Sequence, residues 1–157
     1  MFTGIVTAIG TIAAVLVEGL PLLASLVSAA IPAAAERQLG EAVLASLDEQ
    51  PFAPSRLPGA KQQRVRHLVE KIEATAPQGR RLRLELRDSP AIGANALCLP
   101  GGILVVTDAL VRLASEEELL AVLAHEAGHA HHRHPLQMMV RGHALALATR
   151  LIGGHNN

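Results

Sequence analysis

The sequence predicts an α+β fold that is rich in helix and carries a small β-sheet beside its most distinctive helix. Two segments, residues 33–49 and 60–76, place apolar side chains at helical spacing. Residues 81–87 alternate leucines with charged side chains, which is typical of a half-buried strand. With 157 residues, the chain is long enough to bury one core around these elements.

The composition and charge of the chain exclude several classes of protein. Half of the residues are hydrophobic, which is incompatible with a disordered chain. The 14 basic and 14 acidic side chains cancel, and Trp and Tyr are absent. We therefore expect no nucleic-acid partner, since such binding uses a basic surface and stacking aromatic rings. A single cysteine, Cys98, excludes an internal disulfide framework.

An apolar block covers residues 2–35, where Glu18 is the only charged side chain. The block exceeds the ~20 residues that a spanning helix needs, but Pro21 interrupts it and Pro32 ends it. It is interpreted either as one imperfect membrane span, as a hairpin of two apolar helices, or as a buried helix pair in a soluble core. We expect membrane association, with Arg37 and the later basic residues on the cytoplasmic side.

Local signals predict where the remaining elements begin and end. Ser115 and Glu118 form a capping box, which opens a helix. Pro135 disfavours helical geometry at His134, so we expect this helix to end or kink there. The predicted elements are helices over 33–49, 60–76, 108–113, 115–134 and 136–152, strands over 81–87, 95–99 and 103–107, a loop over 50–59 and a turn over 100–102.

The chemistry of the chain is concentrated in an H-E-x-x-H motif formed by His125, Glu126 and His129. Residues four apart lie on one face of a helix, so both imidazoles are able to reach one metal ion. Zinc lowers the pKa of a bound water to about 7, and a neighbouring glutamate is able to take its proton. The alternative is a buried helix whose histidines bond to backbone carbonyls, but such polar groups are costly without partners.

Seven of the eight histidines lie between His125 and His155. His131, His132 and His134 follow the motif closely and form a polar run at the predicted helix end. Cationic imidazoles suit a helix C-terminus. We expect that role for at least two of these three, since only some faces of the helix are able to meet the metal.

Several motifs, in chain order, resemble the HtpX-like and Oma-like gluzincin metallopeptidases, a group that also includes the CAAX prenyl proteases of type I. The resemblance covers about residues 31–150. It implies a zincin-like fold and a zinc endopeptidase, often membrane-bound and often acting in protein quality control. The matching segments are Asn95-Ala96-Leu97-Cys98-Leu99-Pro100-Gly101-Gly102, Ile103-Leu104-Val105-Val106-Thr107, Ser115-Glu116-Glu117-Glu118-Leu119, Ala124-His125-Glu126-Ala127-Gly128-His129 and His132-Arg133-His134-Pro135, with Pro32, Glu36, Leu39 and Gly40 before them.

The resemblance assigns roles to particular residues. It implies that His125 and His129 are ligands of one zinc ion per chain and that Glu126 is the general base. It also implies that a strand before the active-site helix is a sheet edge, to which a peptide substrate adds as a further strand. The residues in that substrate-binding strand are Ile103, Leu104, Val105 and Val106.

The third zinc ligand is missing from this pattern. In gluzincins it is a glutamate on a later helix, whereas this chain has no carboxylate after Glu126. We expect the chain to be the N-terminal portion of a longer protein and, alone, a poor catalyst. His143, His155 or Cys98 are alternatives that the spacing does not distinguish, and a buried, inert thiol is expected for Cys98.

Together these observations predict a segment over residues 1–35 that is membrane-associated or forms a hairpin, followed by part of a zinc metallopeptidase domain over 36–157. The expected function is cleavage of polypeptides, at the bacterial inner membrane with the catalytic part in the cytoplasm. Exposed apolar surface on the last helix, 136–152, favours self-association or lipid contact. The alternative function is that of a metal-binding or membrane-associated interaction module without catalysis.

Overall fold

The computed structural model describes residues 19–75 and 81–153, with side chains described through residue 146. The first 18 residues of the chain, which make up much of the predicted apolar segment, lie outside the described residues, as does His155. The chain divides into two compact units. One covers residues 33–135, and the other takes its described residues from 1–32 and 136–157.

The order of elements agrees closely with the predicted order. The helix predicted to end or kink at His134 ends at His131, and a new helix begins at His134. In chain order the elements are α1 (Leu20–Ala30), α2 (Ala33–Asp48), β1 (Ala53–Pro54), α3 (Gly59–Thr75), β2 (Arg83–Asp88), β3 (Ala96–Leu99), a 3-10 turn (Pro100–Gly102), β4 (Ile103–Thr107), α4 (Asp108–Leu113), α5 (Glu116–His131) and α6 (His134–Gly153).

Four strands form one mixed sheet in the order β1-β2-β4-β3. Strand β4 runs parallel to β2, with Leu84 opposite Leu104, and antiparallel to β3, with Cys98 also opposite Leu104. The two-residue strand β1 pairs antiparallel with β2. A helix-rich α+β fold with a small sheet is therefore confirmed.

Strand β4 corrects one prediction from the sequence. The strand over residues 103–106 was expected to be a sheet edge open to a peptide, but it lies between β2 and β3 and pairs with both. All five of its residues are buried. The substrate-binding assignment of Ile103, Leu104, Val105 and Val106 is therefore wrong, because their backbone groups already bond within the sheet. Among the described strands, β3 and β1 are the two edges.

The core of the unit over residues 33–135 lies on both faces of the sheet. Leu104 and Val106 of β4 join an apolar cluster with side chains of α3 and α5. Ile103 and Val105, which point to the opposite face, join a cluster with Leu44 of α2. A strand buried on both faces is expected to be uniformly apolar, which explains the run of β-branched residues.

Helix α2 packs on the turn between β3 and β4 through a position that only glycine fits. A Cβ atom on Gly40 would lie 2.0 Å from the carbonyl oxygen of Pro100. Within the turn, Gly101 has a φ of 80°, a conformation that other residues rarely adopt. Glycines at these positions therefore allow α2 to lie close to the turn that joins β3 and β4.

The other unit contains α1 and most of α6. Helix α1 exposes Leu22, Leu23 and Leu26 by more than half of their surface. Within the described ranges, no single helix is long and apolar enough to cross a membrane. Only α1 and α2 taken together pass a length and hydropathy test for a span, and a break at Ile31 and Pro32 separates them.

Candidate metal centre

Helix α5 carries the H-E-x-x-H motif and is fixed at its start by its own sequence. The Ser115 hydroxyl accepts a bond from the backbone N–H of Glu118, and the Glu118 carboxylate accepts one from the backbone N–H of Ser115. This is the predicted capping box. Leu119 and Leu123, both completely buried, hold the helix in the core. The first half of α5 is thus anchored, and the second half presents the motif.

The two motif histidines point their rings at each other on one face of α5. Nε2 of His125 lies 3.0 Å from Nε2 of His129, and the ring centroids are 4.7 Å apart. Two nitrogens bound at 2.0–2.1 Å to one tetrahedral zinc ion would be ~3.3 Å apart. The pair therefore fits a shared metal ion with little movement. His125 is exposed, and His129 is partly buried.

Glu126 follows His125 on α5 and is partly exposed. Strand β3 packs against this helix and places Cys98 close to Glu126. Burial of the Cys98 thiol, together with the nearby carboxylates of Glu126 and Glu36, raises its pKa to about 12. The thiol therefore stays protonated at neutral pH, which agrees with the expected inert cysteine.

No third ligand joins the pair among the described residues, where no group of three or more His, Cys, Asp or Glu is arranged to hold a metal ion. Of the predicted alternatives, His143 lies in the other compact unit, and its Nδ1 donates to the carbonyl of Met139 at 2.9 Å. His155 lies outside the described residues. The third position of a zinc site is thus not assigned to any of them.

Three residues near the break after α5 have contacts that the sequence does not predict: His134, Arg133 and Glu36. Nδ1 of His129 lies 2.9 Å from Nδ1 of His134. Between the helices, Arg133 adopts a φ of 54°, and its guanidinium lies 2.8 Å from the carboxylate of Glu36 on α2. Glu36 is only 2 % exposed. The sequence carries only a weak signal for this ion pair. Glu36 is the first charged residue after the apolar block, and Arg133 is the one basic side chain other than histidine in the run over 131–134.

The remaining histidines of the run divide by exposure. His131 and His132 are exposed at the end of α5, as expected for a polar helix end, while His134 is partly buried. The rings of His132 and His134 stack with centroids 5.3 Å apart and an interplanar angle of 22°. His134 thus connects this run to a histidine of the motif, through the contact of its Nδ1 with His129.

Comparison with known proteins gives one family. A model described as "Peptidase family M48" matches residues 59–156, which is more than half of the chain. The match includes His125, Glu126 and His129, and it begins after Glu36. No curated protein matches the chain.

Proposed function

This chain belongs to peptidase family M48, whose members are in general zinc metallopeptidases, and we propose that it is a zinc-dependent metalloendopeptidase of zincin-like fold. One observation carries the proposal: the Nε2 atoms of His125 and His129 lie 3.0 Å apart on a capped helix. Glu126 adjoins them on the same helix.

In the proposed site, His125 and His129 hold one zinc ion through their Nε2 atoms. When bound, zinc would polarise the substrate carbonyl and lower the pKa of water to about 7. Glu126 accepts the proton of the attacking water and passes it to the amine that leaves, as a general base and then a general acid. Its position one residue from His125 leaves it beside the ligands without making it one.

The sheet offers a place for the substrate main chain at β3 rather than at β4. Strand β3 is an edge of the sheet and packs against α5. A peptide added beside residues Ala96–Leu99 would use their outward N–H and C=O groups, and Cys98 on this strand is close to Glu126. We infer that polypeptides bind here in extended form.

We propose that the enzyme works at a membrane, at the inner membrane of a bacterium with its catalytic part in the cytoplasm. Exposed Leu22, Leu23 and Leu26 on α1 support contact with lipid. The first basic residue after this helix is Arg37. Quality control of membrane proteins is the proposed cellular role, because a peptidase beside the bilayer meets such substrates first.

A second candidate function is a metal-binding or membrane-associated interaction module without catalysis. It is favoured by the finding that only two ligands converge among the described residues, whereas catalytic zinc normally has three protein ligands and a water. The two functions share the histidine pair, and they differ in whether Glu126 takes part in hydrolysis.

Proteolysis of an unfolded protein separates the two functions. The full chain, supplied with zinc, is incubated with casein and compared with Glu126→Gln and with Glu117→Gln, a control on the same helix. We expect slow cleavage that Glu126→Gln abolishes while its zinc content is retained, since the change removes a base and not a ligand. Zinc binding without any Glu126-dependent cleavage would favour the interaction module.

A further inference from the structure

His129 uses both nitrogens of its ring. Its Nε2 faces His125, and its Nδ1 lies 2.9 Å from Nδ1 of His134. The rings of His129 and His134 meet edge to face, with centroids 5.0 Å apart and an interplanar angle of 66°. This distance is normal for a hydrogen bond between nitrogens, so one ring donates and the other accepts.

The metal chemistry fixes the direction of this bond. A neutral histidine that binds a metal through Nε2 carries its proton on Nδ1. His129 would then donate from Nδ1, and His134 would accept at Nδ1 while carrying its own proton on Nε2. Metal-binding histidines almost always donate their second N–H to a fixed acceptor, which orients the ring.

We propose that His134 is a positioning residue of the metal centre: it accepts the Nδ1–H of His129 and holds Nε2 of that ring ready for zinc. The inference rests on the proposed zinc site. His134 is not the third ligand, because its Nδ1 is used on the side of His129 that faces away from His125.

The helix break is what makes this contact available. In a continuous helix, a residue five positions after His129 would be turned about 140° away from it. Here α5 ends at His131, and Arg133 takes a left-handed conformation with a φ of 54°. Such conformations persist where the surroundings fix them, and the ion pair of Arg133 with buried Glu36 does so.

His132 is a second histidine whose ring contacts that of His134. Its ring stacks on that of His134 with centroids 5.3 Å apart. The ring of His132 also meets that of His131 edge to face, with centroids 5.1 Å apart. Because the bond between His129 and His134 does not involve the exposed His132, His132→Ala serves as a control for the loss of a neighbouring imidazole.

The test measures zinc affinity of the full chain by competition with a chromogenic chelator. The variants are His134→Ala, His134→Asn, His134→Gln and the control His132→Ala, each checked for its thermal midpoint without zinc. We expect His134→Ala to weaken zinc binding about 10–100-fold, the usual cost of losing such a partner. The Asn variant recovers most of the loss, because its amide oxygen takes the place of Nδ1, whereas Gln reaches the position of Nε2.

A second readout does not depend on substitution. Long-range proton–nitrogen NMR spectra of the zinc-loaded protein should show His129 protonated at Nδ1 and His134 protonated at Nε2. The proposal is overturned by the reverse proton positions, by wild-type affinity in His134→Ala, or by equal affinities in the Asn and Gln variants. If the unaltered chain binds no zinc through His129, the proposed function fails and takes this inference with it. Binding that needs His129 and ignores His134 overturns the inference alone.

Discussion

The two compact units treat apolar side chains in opposite ways. Residues 33–135 bury them on both faces of a sheet, and β4 is buried along its whole length. The described parts of the other unit instead carry most of the large apolar side chains that are exposed to solvent in the structure. They are Leu22, Leu23, Leu26, Val27, Met138 and Leu145.

This difference shows that hydropathy and periodicity carry different information. In the unit over 33–135, apolar residues recur with the period of the element that they occupy. Each helix therefore has one apolar face to bury, and β4 has two. Helix α1 is apolar almost all around, a pattern that demands a cover other than its own fold. The proposed metal centre draws on the first unit, and the proposed membrane association draws on the second.

The largest effect should come from breaking the ion pair beside the metal centre. Removing the carboxylate in Glu36→Ala leaves the guanidinium of Arg133 without its buried partner, and we expect the free energy of unfolding to fall by about 3–5 kcal/mol. Chemical denaturation measures this. Glu41 lies on the same helix as Glu36 and is an exposed partner of Arg83. Glu41→Ala should leave the free energy of unfolding close to that of the unaltered chain. Equal losses in both variants would contradict a structural role for Glu36.

A pair of leucine substitutions tests the contrast between the units directly. Leu123→Ala in α5 opens a cavity in a completely buried site and should cost about 2–5 kcal/mol of stability. Leu26→Ser on α1, where Leu26 is 63 % exposed, should change stability little but reduce binding to phospholipid vesicles.

Two outcomes of Leu26→Ser would contradict this contrast between the units. If Leu26→Ser changes the oligomeric state in detergent-free buffer and leaves vesicle binding intact, α1 contacts a second copy of the chain instead of lipid. If it destabilises the protein as much as Leu123→Ala, the exposed face of α1 is part of a core.

The smallest effect concerns Cys98, which reports on the surroundings of Glu126. Because the pKa of this thiol is raised to about 12, the reactive thiolate is scarce near pH 8 and grows only in strongly alkaline solution. Alkylation by iodoacetamide, followed by mass spectrometry, should be slow at pH 8. Glu126→Gln should accelerate it slightly, since burial is the main cause and the carboxylate the lesser one. Rapid labelling at pH 8 would contradict the placement of Cys98.

The sequence predicts most of the fold because its signals are local. The capping box at Ser115, the Pro-Gly-Gly turn and the break before Pro135 all act over a few residues, and each lies where it was predicted. The order of strands is not local. Nothing in the residues of β4 says whether β3 pairs beside it, so the sequence offers no check on the edge position that the resemblance implies for residues 103–106.

The candidate site shows the same division between local and distant information. His125, Glu126 and His129 follow from helical spacing alone, although their roles stay predictions until metal binding is measured. The contact of His134 with His129 needs the left-handed turn at Arg133, whose side chain pairs with Glu36 from nearly a hundred residues earlier. Pairings over such a distance leave no periodic trace in one sequence.

The central claim is that His125 and His129 hold one zinc ion, and metal content measures it most directly. The full chain, purified and equilibrated with zinc, should carry about one zinc per chain by elemental analysis. His129→Ala should lose that zinc, while His131→Ala, which alters an exposed histidine on the same helix, should keep it. Unchanged zinc content in His129→Ala would contradict the claim and assign the metal to other residues.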